Sequence, residues 1–356
     1  MDRRFSSFEI FVLRLSPSLI KHLMDHMDAR SLIMLSKTSR TLGGAYVCYA
    51  AAVWNPLVMY KRWFRHGWSF RRLLRRCGAM LSGSVVFDFF DRAQRRNNTM
   101  HIFLRAAGAD EVCGWLAGEG YETVLGDYDP NDPLWHGRHC TEAVRPRGEE
   151  DGPILAAYTF RKEGVSATGF RDLFSVKVIV IDIDPIQHLL FDFHASKQLA
   201  VKLQRRLLMR HSEAGEMNFL TADGAVSVFP YDTFVERVSY VSRNGVHDSE
   251  VPQSWLAKYS ARGITIISGG VTGMRPSFKT GSRTVLDKFS WHISFKDKYF
   301  PAFLDSYYGK AVVDLPFEVL YLSGLRSDSL FDLKIAEPYI WRALLTDMEE
   351  EDVDMY

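Results

Sequence analysis

No acidic residue lies between Asp28 and Asp88, while Arg30, Lys37, Arg40, Lys61, Arg62, Arg65, Arg71, Arg72, Arg75 and Arg76 put ten positive charges into that window. The local excess survives a near-neutral total of 44 basic and 43 acidic residues, which argues against a wholesale polyanion binder but leaves room for a basic patch. The four cysteines, Cys48, Cys77, Cys113 and Cys140, are far apart. They suggest neither a disulfide framework nor a paired zinc spacing, so a reducing compartment, cytoplasmic or nuclear, is expected. No apolar run approaches the ~18 residues needed to cross a bilayer. The short apolar stretch at the N-terminus is broken by Arg14 and shows no cleavage-site pattern, so no membrane partner is expected.

The chain does have apolar mass. At 356 residues, 47% hydrophobic and 13% aromatic, it can bury one large core or two moderate ones. The pattern predicts an α+β protein: a helical head at about 8–60, a mixed sheet with flanking helices over 61–245, an α/β C-terminal extension over 246–346, and an acidic tail at 347–356. In the head, Ser16 and Pro17 open a helix carrying Leu19, Ile20, Leu23 and Met24 at helical spacing. Residues 57–76 continue as basic, aromatic helices broken at Gly67. The period then changes: a helix over 85–91, a strand over 101–105, a helix over 110–120, strands at 154–161 and 175–182, and a long helix from 186 to 210. Further strands are expected near 225–229, 290–296 and 312–322.

Residues 15–42, LSPSLIKHLMDHMDARSLIMLSKTSRTL, resemble an F-box through the Leu-x-Pro opening, the apolar Ile20, Leu23 and Met24, and the turn leading to Leu32 and Leu35. Six further segments are similar, short but in the same order, to a family of basidiomycete fungal proteins that join an F-box-like head to a nucleotidyltransferase-like domain. They are Leu81–Ser84, Phe89–Arg92, Lys177–Ile181, Phe193–Ser196, Met217–Thr221 and Ser290–Ile293. The resemblance implies docking to a Skp-type adaptor of a cullin ubiquitin ligase through Leu15, Pro17, Leu19, Ile20, Leu23, Leu32 and Leu35. The equal alternative is that these side chains seal the head onto the second domain. With the adaptor docked on the head, the central fold is expected to be the binding platform for an unknown protein target.

Nucleotidyl transfer needs divalent cations held by hard oxygen ligands. Asp-x-Asp on a strand supplies them, because residues i and i+2 share a face. After the Gly83-Ser84 corner, the corresponding positions here are Thr99 and His101, an uncharged hydroxyl and an imidazole that prefers softer metals. A third carboxylate is missing from the strand ending at Ile181 until Asp182 and Asp184, which serve only if the register is shifted and otherwise read as a turn or helix cap. The frame is therefore expected to lack transferase chemistry, metal and cofactor, with a divergent nucleotidyltransferase or nucleotide- or RNA-binding protein as the alternative. Gly83-Ser84 can also pack a strand on a helix with no ligand.

Other motifs are weaker. His22 and His26 sit one helical turn apart with only Asp25 nearby; His136–Cys140 offers three ligand types in a loop; His194 reads as a core histidine; and Gly269–Gly273 lacks the P-loop lysine. The run KRWFRHGWSFRRLLRR at 61–76 mixes cations with aromatics, as nucleic-acid surfaces do. Arg71, Arg72, Arg75 and Arg76 are its candidate polyanion ligands. It equally describes an amphipathic helix with Trp63, Phe64, Trp68, Phe70, Leu73 and Leu74 inward, or a surface for an anionic protein.

Overall fold

The computed structural model describes residues 6–93, 95, 98–124, 154–165, 171–192, 217–240, 253–267, 278–295, 315–321 and 331–335. The fold is mixed α and β, with a mixed multi-stranded sheet and several helices.

Local capping chemistry sets the head. Ser6 and Glu9 form a reciprocal capping box on α1 (Ser7–Arg14); Ser16 caps α2 (Pro17–Asp25) with Pro17 in its first turn; Asp28 caps α3 (Ala29–Thr38); and Ser39 caps α4 (Arg40–Val53). Val12, Met24, Leu32, Leu35, Leu42 and Tyr49 close a small core between these helices. By length and composition alone the stretch Arg40–Tyr60 would cross a bilayer, contrary to the expectation from the sequence. Here it is interrupted. Trp54 ends α4, and Asn55 caps the short α5 (Pro56–Tyr60), with Trp54 and Tyr60 buried.

Strand periodicity builds the centre. The sheet contains β1 (Met80–Ser82), β2 (Thr99–Arg105), β3 (Glu122–Thr123), β4 (Ile154–Val165), β5 (Arg171–Ile181), β6 (Asn218–Leu220), β7 (Gly224–Ser227) and β11 (Trp291–Ser294). These eight strands run in the order β11-β7-β6-β1-β2-β5-β4-β3. The β2–β5 pair is parallel and its neighbours in the sheet are antiparallel. Met100, Ile102 and Leu104 of β2 join Val176, Val178 and Val180 of β5 in one core, whereas Phe103 joins Ile179 and Ile181 in a second. Alternation by two thus gives each sheet face its own apolar layer. The first layer takes α6 (Gly67–Arg76), α7 (Ser84–Asp91) and α8 (Ala109–Gly118). The second takes the turns over Pro185–Asp192 and strands β8 (Val238–Tyr240) and β12 (Pro316–Tyr321). Strand β8 pairs in parallel with β9 (Thr265–Ile267), after α9 (Gln253–Ser260); β12 pairs with β10 (Gly281–Thr284) and β13 (Phe331–Ile335).

Helix α7 and strand β2 stand where the sequence places a helix followed by a strand. Other expectations change. The helix expected from 186 appears as one α-turn, Pro185–Gln187, followed by a π-turn, His188–Asp192; residues 193–210 lie outside the described residues. Residues 246–346, expected as an extension packed on the sheet, supply its edge strand β11, paired with β7.

The head rests on the sheet through Arg92. This residue ends α7 in the left-handed conformation, φ 56°, and its guanidinium donates to the Met24 and Met27 carbonyls and the Tyr49 hydroxyl. Trp54 continues the seam, its indole N–H donating to the Phe90 carbonyl and its ring meeting Trp291 edge-on at 5.0 Å. Charge-assisted bonds of this kind contribute about 1.5–3 kcal/mol each before non-additivity. Arg92→Ala is therefore expected to lower stability by about 2–4 kcal/mol. Hydrogen exchange checks it: α2 and α4 amides should lose protection while β2 and β5 keep theirs, and equal loss in both would refute a local staple.

Candidate functional site

The corner around Gly83, Thr99 and His101 is assembled by β1, α7, β2 and β5. Register places Ser82, His101, Lys177 and Thr159 opposite one another across four strands. Thr99 faces Ser175, so the β5 positions beside Thr99 and His101 are a hydroxyl and an ammonium. Gly83 turns the chain from β1 into α7 at φ 84°, a region costly for L side chains. A Cβ there would sit 3.1 Å from His101 Nδ1, so the imidazole packs directly against the Gly83 corner.

Electrostatics at this corner favour neutrality. Burial, with the Lys177 and Lys258 charges adding to it, drives the His101 pKa down to about 3. The nearby carboxylates are engaged elsewhere. On α7, Asp88 and Asp91 accept from Arg95 at 2.8 Å each, and Asp91 also meets Arg237 at 2.6 Å. Asp184 caps the turn after β5, accepting from the Ile186 and Gln187 amides at 2.8 and 3.3 Å. Asp182 lies five residues beyond Lys177, which at ~3.3 Å per strand residue is about 16 Å along the sheet. Asp182 thus follows the last residue of β5, Ile181, and Asp184 lies two residues further on.

The head residues divide. Leu32 and Leu35 are buried in the head core, and Ile20 packs against it. Leu15 and Leu23 are half-buried; Pro17 and Leu19 are exposed, Leu19 at 54%. The seven do not form one outward surface, because helical spacing turns Leu32 and Leu35 inward. The F-box pattern passes over Phe8, Phe11, Met34 and Val47, which are exposed on the same head. Their signal was apolar residues on the helix faces opposite the core.

Helix α6 corrects the basic-patch reading. Arg71 is buried, donating to the Ala222 and Phe295 carbonyls, so it ties α6 to the sheet and is removed from any polyanion surface. Arg76 pairs with Glu111. Arg72 and Arg75 remain exposed. Trp63, Phe64, Phe70, Leu73 and Leu74 are buried, as an amphipathic helix requires, but Trp68 is 41% exposed. The stretch is a pair of helices, α5 and α6, and Gly67 starts the second; a Cβ there would stand 3.2 Å from Tyr60 Cβ.

His22 and His26 approach edge-on with Nε2 atoms 3.3 Å apart, and no group of three potential metal-ligating side chains occurs among the described residues. His136–Cys140, His194 and Gly269–Gly273 lie outside the described residues.

Searches of family models, curated proteins and solved structures found no match to the chain.

His101 and His188 yield a pH prediction. Burial lowers the His188 pKa to about 4 against the opposing pull of Asp182. A histidine with a depressed native pKa disfavours its own protonation in the fold. Its contribution is complete above the unfolded value of 6.5 and is lost as pH falls toward about 3 for His101 and about 4 for His188. Each adds a slope of up to about 1.4 kcal/mol per pH unit. The melting temperature should fall between pH 6.5 and 4.5, less steeply in His101→Gln. Identical slopes in the two proteins would refute the assignment for His101.

Proposed function

We propose that the chain is a non-catalytic, F-box-like interaction protein, a substrate receptor of a cullin-type ubiquitin ligase, in which a nucleotidyltransferase-like frame serves as a binding platform. The observation that carries the non-catalytic half is Lys177, paired with His101 across β2 and β5. Two metal ions beside a triphosphate need fixed negative charge. An ammonium beside a divalent cation would raise its energy instead of lowering it. The strand–Gly83–helix–strand order supports the frame, and the charges around it oppose the chemistry. Fold by itself licenses no activity.

The interaction half is supported by the exposed apolar side chains of the head, Leu19 and Phe11 at 54% each among them. Phe8 and Phe11 lie together on α1 with ring centroids 6.5 Å apart, and contiguous exposed apolar patches mark partner surfaces. The rival, polyanion binding, draws on Arg72 and Arg75 of α6 but has lost Arg71 to the interior.

The full chain should capture a purified Skp-type adaptor, and Leu19→Asp should reduce capture at least tenfold while leaving the melting temperature unchanged. A folded chain with no detectable capture would return these residues to a purely structural role. In parallel, labelled nucleoside triphosphates with Mg²⁺ or Mn²⁺ and RNA, protein or small-molecule acceptors should give no incorporation above a mock preparation. Incorporation abolished by Asp182→Asn or Asp184→Asn would overturn the non-catalytic reading.

A further inference from the structure

A cleft of about 700 Å³ lies between α3 of the head and the segments 228–235 and 279–291. Its wall is built from Val228, Phe229, Pro230 and Val235, with Trp291 and Phe234 alongside. Met34 at 62%, Tyr231 at 44% and Phe289 at 39% leave large apolar groups exposed at this wall. Lys37 of α3 and Lys279 and Lys288 of the 279–291 segment, all exposed, reach the same cleft. The acidic residue among its lining, Asp232, is buried.

The display is rigid. Arg283, buried beneath the loop, donates to both Asp287 carboxylate oxygens at 2.8 and 3.0 Å, to the Val228 carbonyl and to Ser290. Burial alone would raise the Asp287 pKa, but Arg283, the Phe289 amide and Ser290 outweigh it and hold the carboxylate below its ordinary value. Asp287 in turn accepts from the Phe289 amide at 2.9 Å. This clamp holds the loop that displays Lys288 and Phe289. Fixing such a loop in advance removes part of the ordering entropy that a ligand would otherwise face. The Val228–Val235 wall includes the turn Tyr231–Val235.

We propose that this cleft binds a short acidic peptide segment of a partner protein, with one large apolar side chain seated on the Val228–Val235 wall and carboxylates reaching Lys37, Lys279 and Lys288. Charge decides the sign of the ligand: three exposed ammonium groups surround an apolar floor whose guanidinium is already committed to Asp287. The floor decides its class. A nucleic-acid base placed there would leave edge donors and acceptors unmatched against aliphatic and aromatic walls, at about 1–3 kcal/mol for each buried group, whereas an apolar side chain needs no such partners. The inference rests on the binding-platform half of the function proposed above and is independent of the adaptor.

The test uses the full chain and a fluorescein-labelled nonapeptide with a central tryptophan flanked by aspartates and glutamates. Two controls are the same peptide with its acids changed to amides and the same peptide with alanine for tryptophan. Fluorescence polarisation should show saturable binding of the acidic tryptophan peptide that weakens at least tenfold in both controls. It should weaken as much in Lys37→Glu/Lys288→Glu and in Phe289→Ala, and weaken as salt rises. The milder Lys37→Ala/Lys288→Ala should give an intermediate loss, and circular dichroism melts should match the unmodified chain for all three variants. Absent saturable binding, binding that the folded variants leave unchanged, or tighter capture of a labelled single-stranded RNA of matched charge would each overturn the proposal. Leu19→Asp should not affect peptide binding. Adaptor capture lost with peptide binding intact sinks only the adaptor reading; the converse sinks only this one.

Discussion

The parallel pairing of β2 with β5 constrains the rest of the molecule. These two strands lie at the centre of the sheet, and their register decides which side chains enter each apolar layer. Because side chains alternate by two, a slip of one residue would move Val176, Val178 and Val180 out of one core and Lys177 into it. Burying an ammonium without a partner costs several kcal/mol, so the register is held by what it excludes as well as by what it packs. The same register sets Lys177 beside His101. The composition of the corner is therefore a consequence of the pairing that builds the cores.

That coupling leaves positions 99, 101 and 177 outside the packing demands of either core. The apolar residues of β2 and β5 would be retained for packing whatever occupied positions 99, 101 and 177, since those three sit outside the buried apolar set. Nothing in the two cores requires carboxylates there. His101 then fills space against Gly83, and burial beside Lys177 and Lys258 keeps it neutral. A neutral imidazole satisfies the corner where a charged one would need a counter-ion.

Much of this was legible in the sequence because the relevant signals are local. Ser16 with Pro17, the helix over 84–91 after Gly83, and the apolar alternation of β2 and β5 each depend on neighbours a few residues away. What escaped depends on distant partners. Lys177 acquires its meaning only from a strand pairing more than seventy residues apart. Arg71 looked like one more surface arginine in a basic run, yet its acceptors are carbonyls at 222 and 295. Helical periodicity could have warned of this, since Arg71 lies three residues before the buried Leu74. The Asp88 and Asp91 network was equally hidden, because Arg237 arrives from far along the chain.

Helix α3 shows how one short element meets two demands. Residues 32 and 35 point into the head core, and residues 34 and 37 line the cleft beside Phe289 and Lys288. Spacing of three and four on a 3.6-residue helix separates the two sets onto different faces without lengthening the element. The head must be held in place for the cleft to keep both walls, and Arg92 with the Trp54–Trp291 contact supplies that hold from the end of α7 and from β11. Since α7 is capped by Gly83 and Arg92, the helix that leads away from the His101 corner is also the one that fixes the head against the sheet. Helix α7 therefore serves both: without it in place, the head core would lose its anchor and the cleft one of its walls.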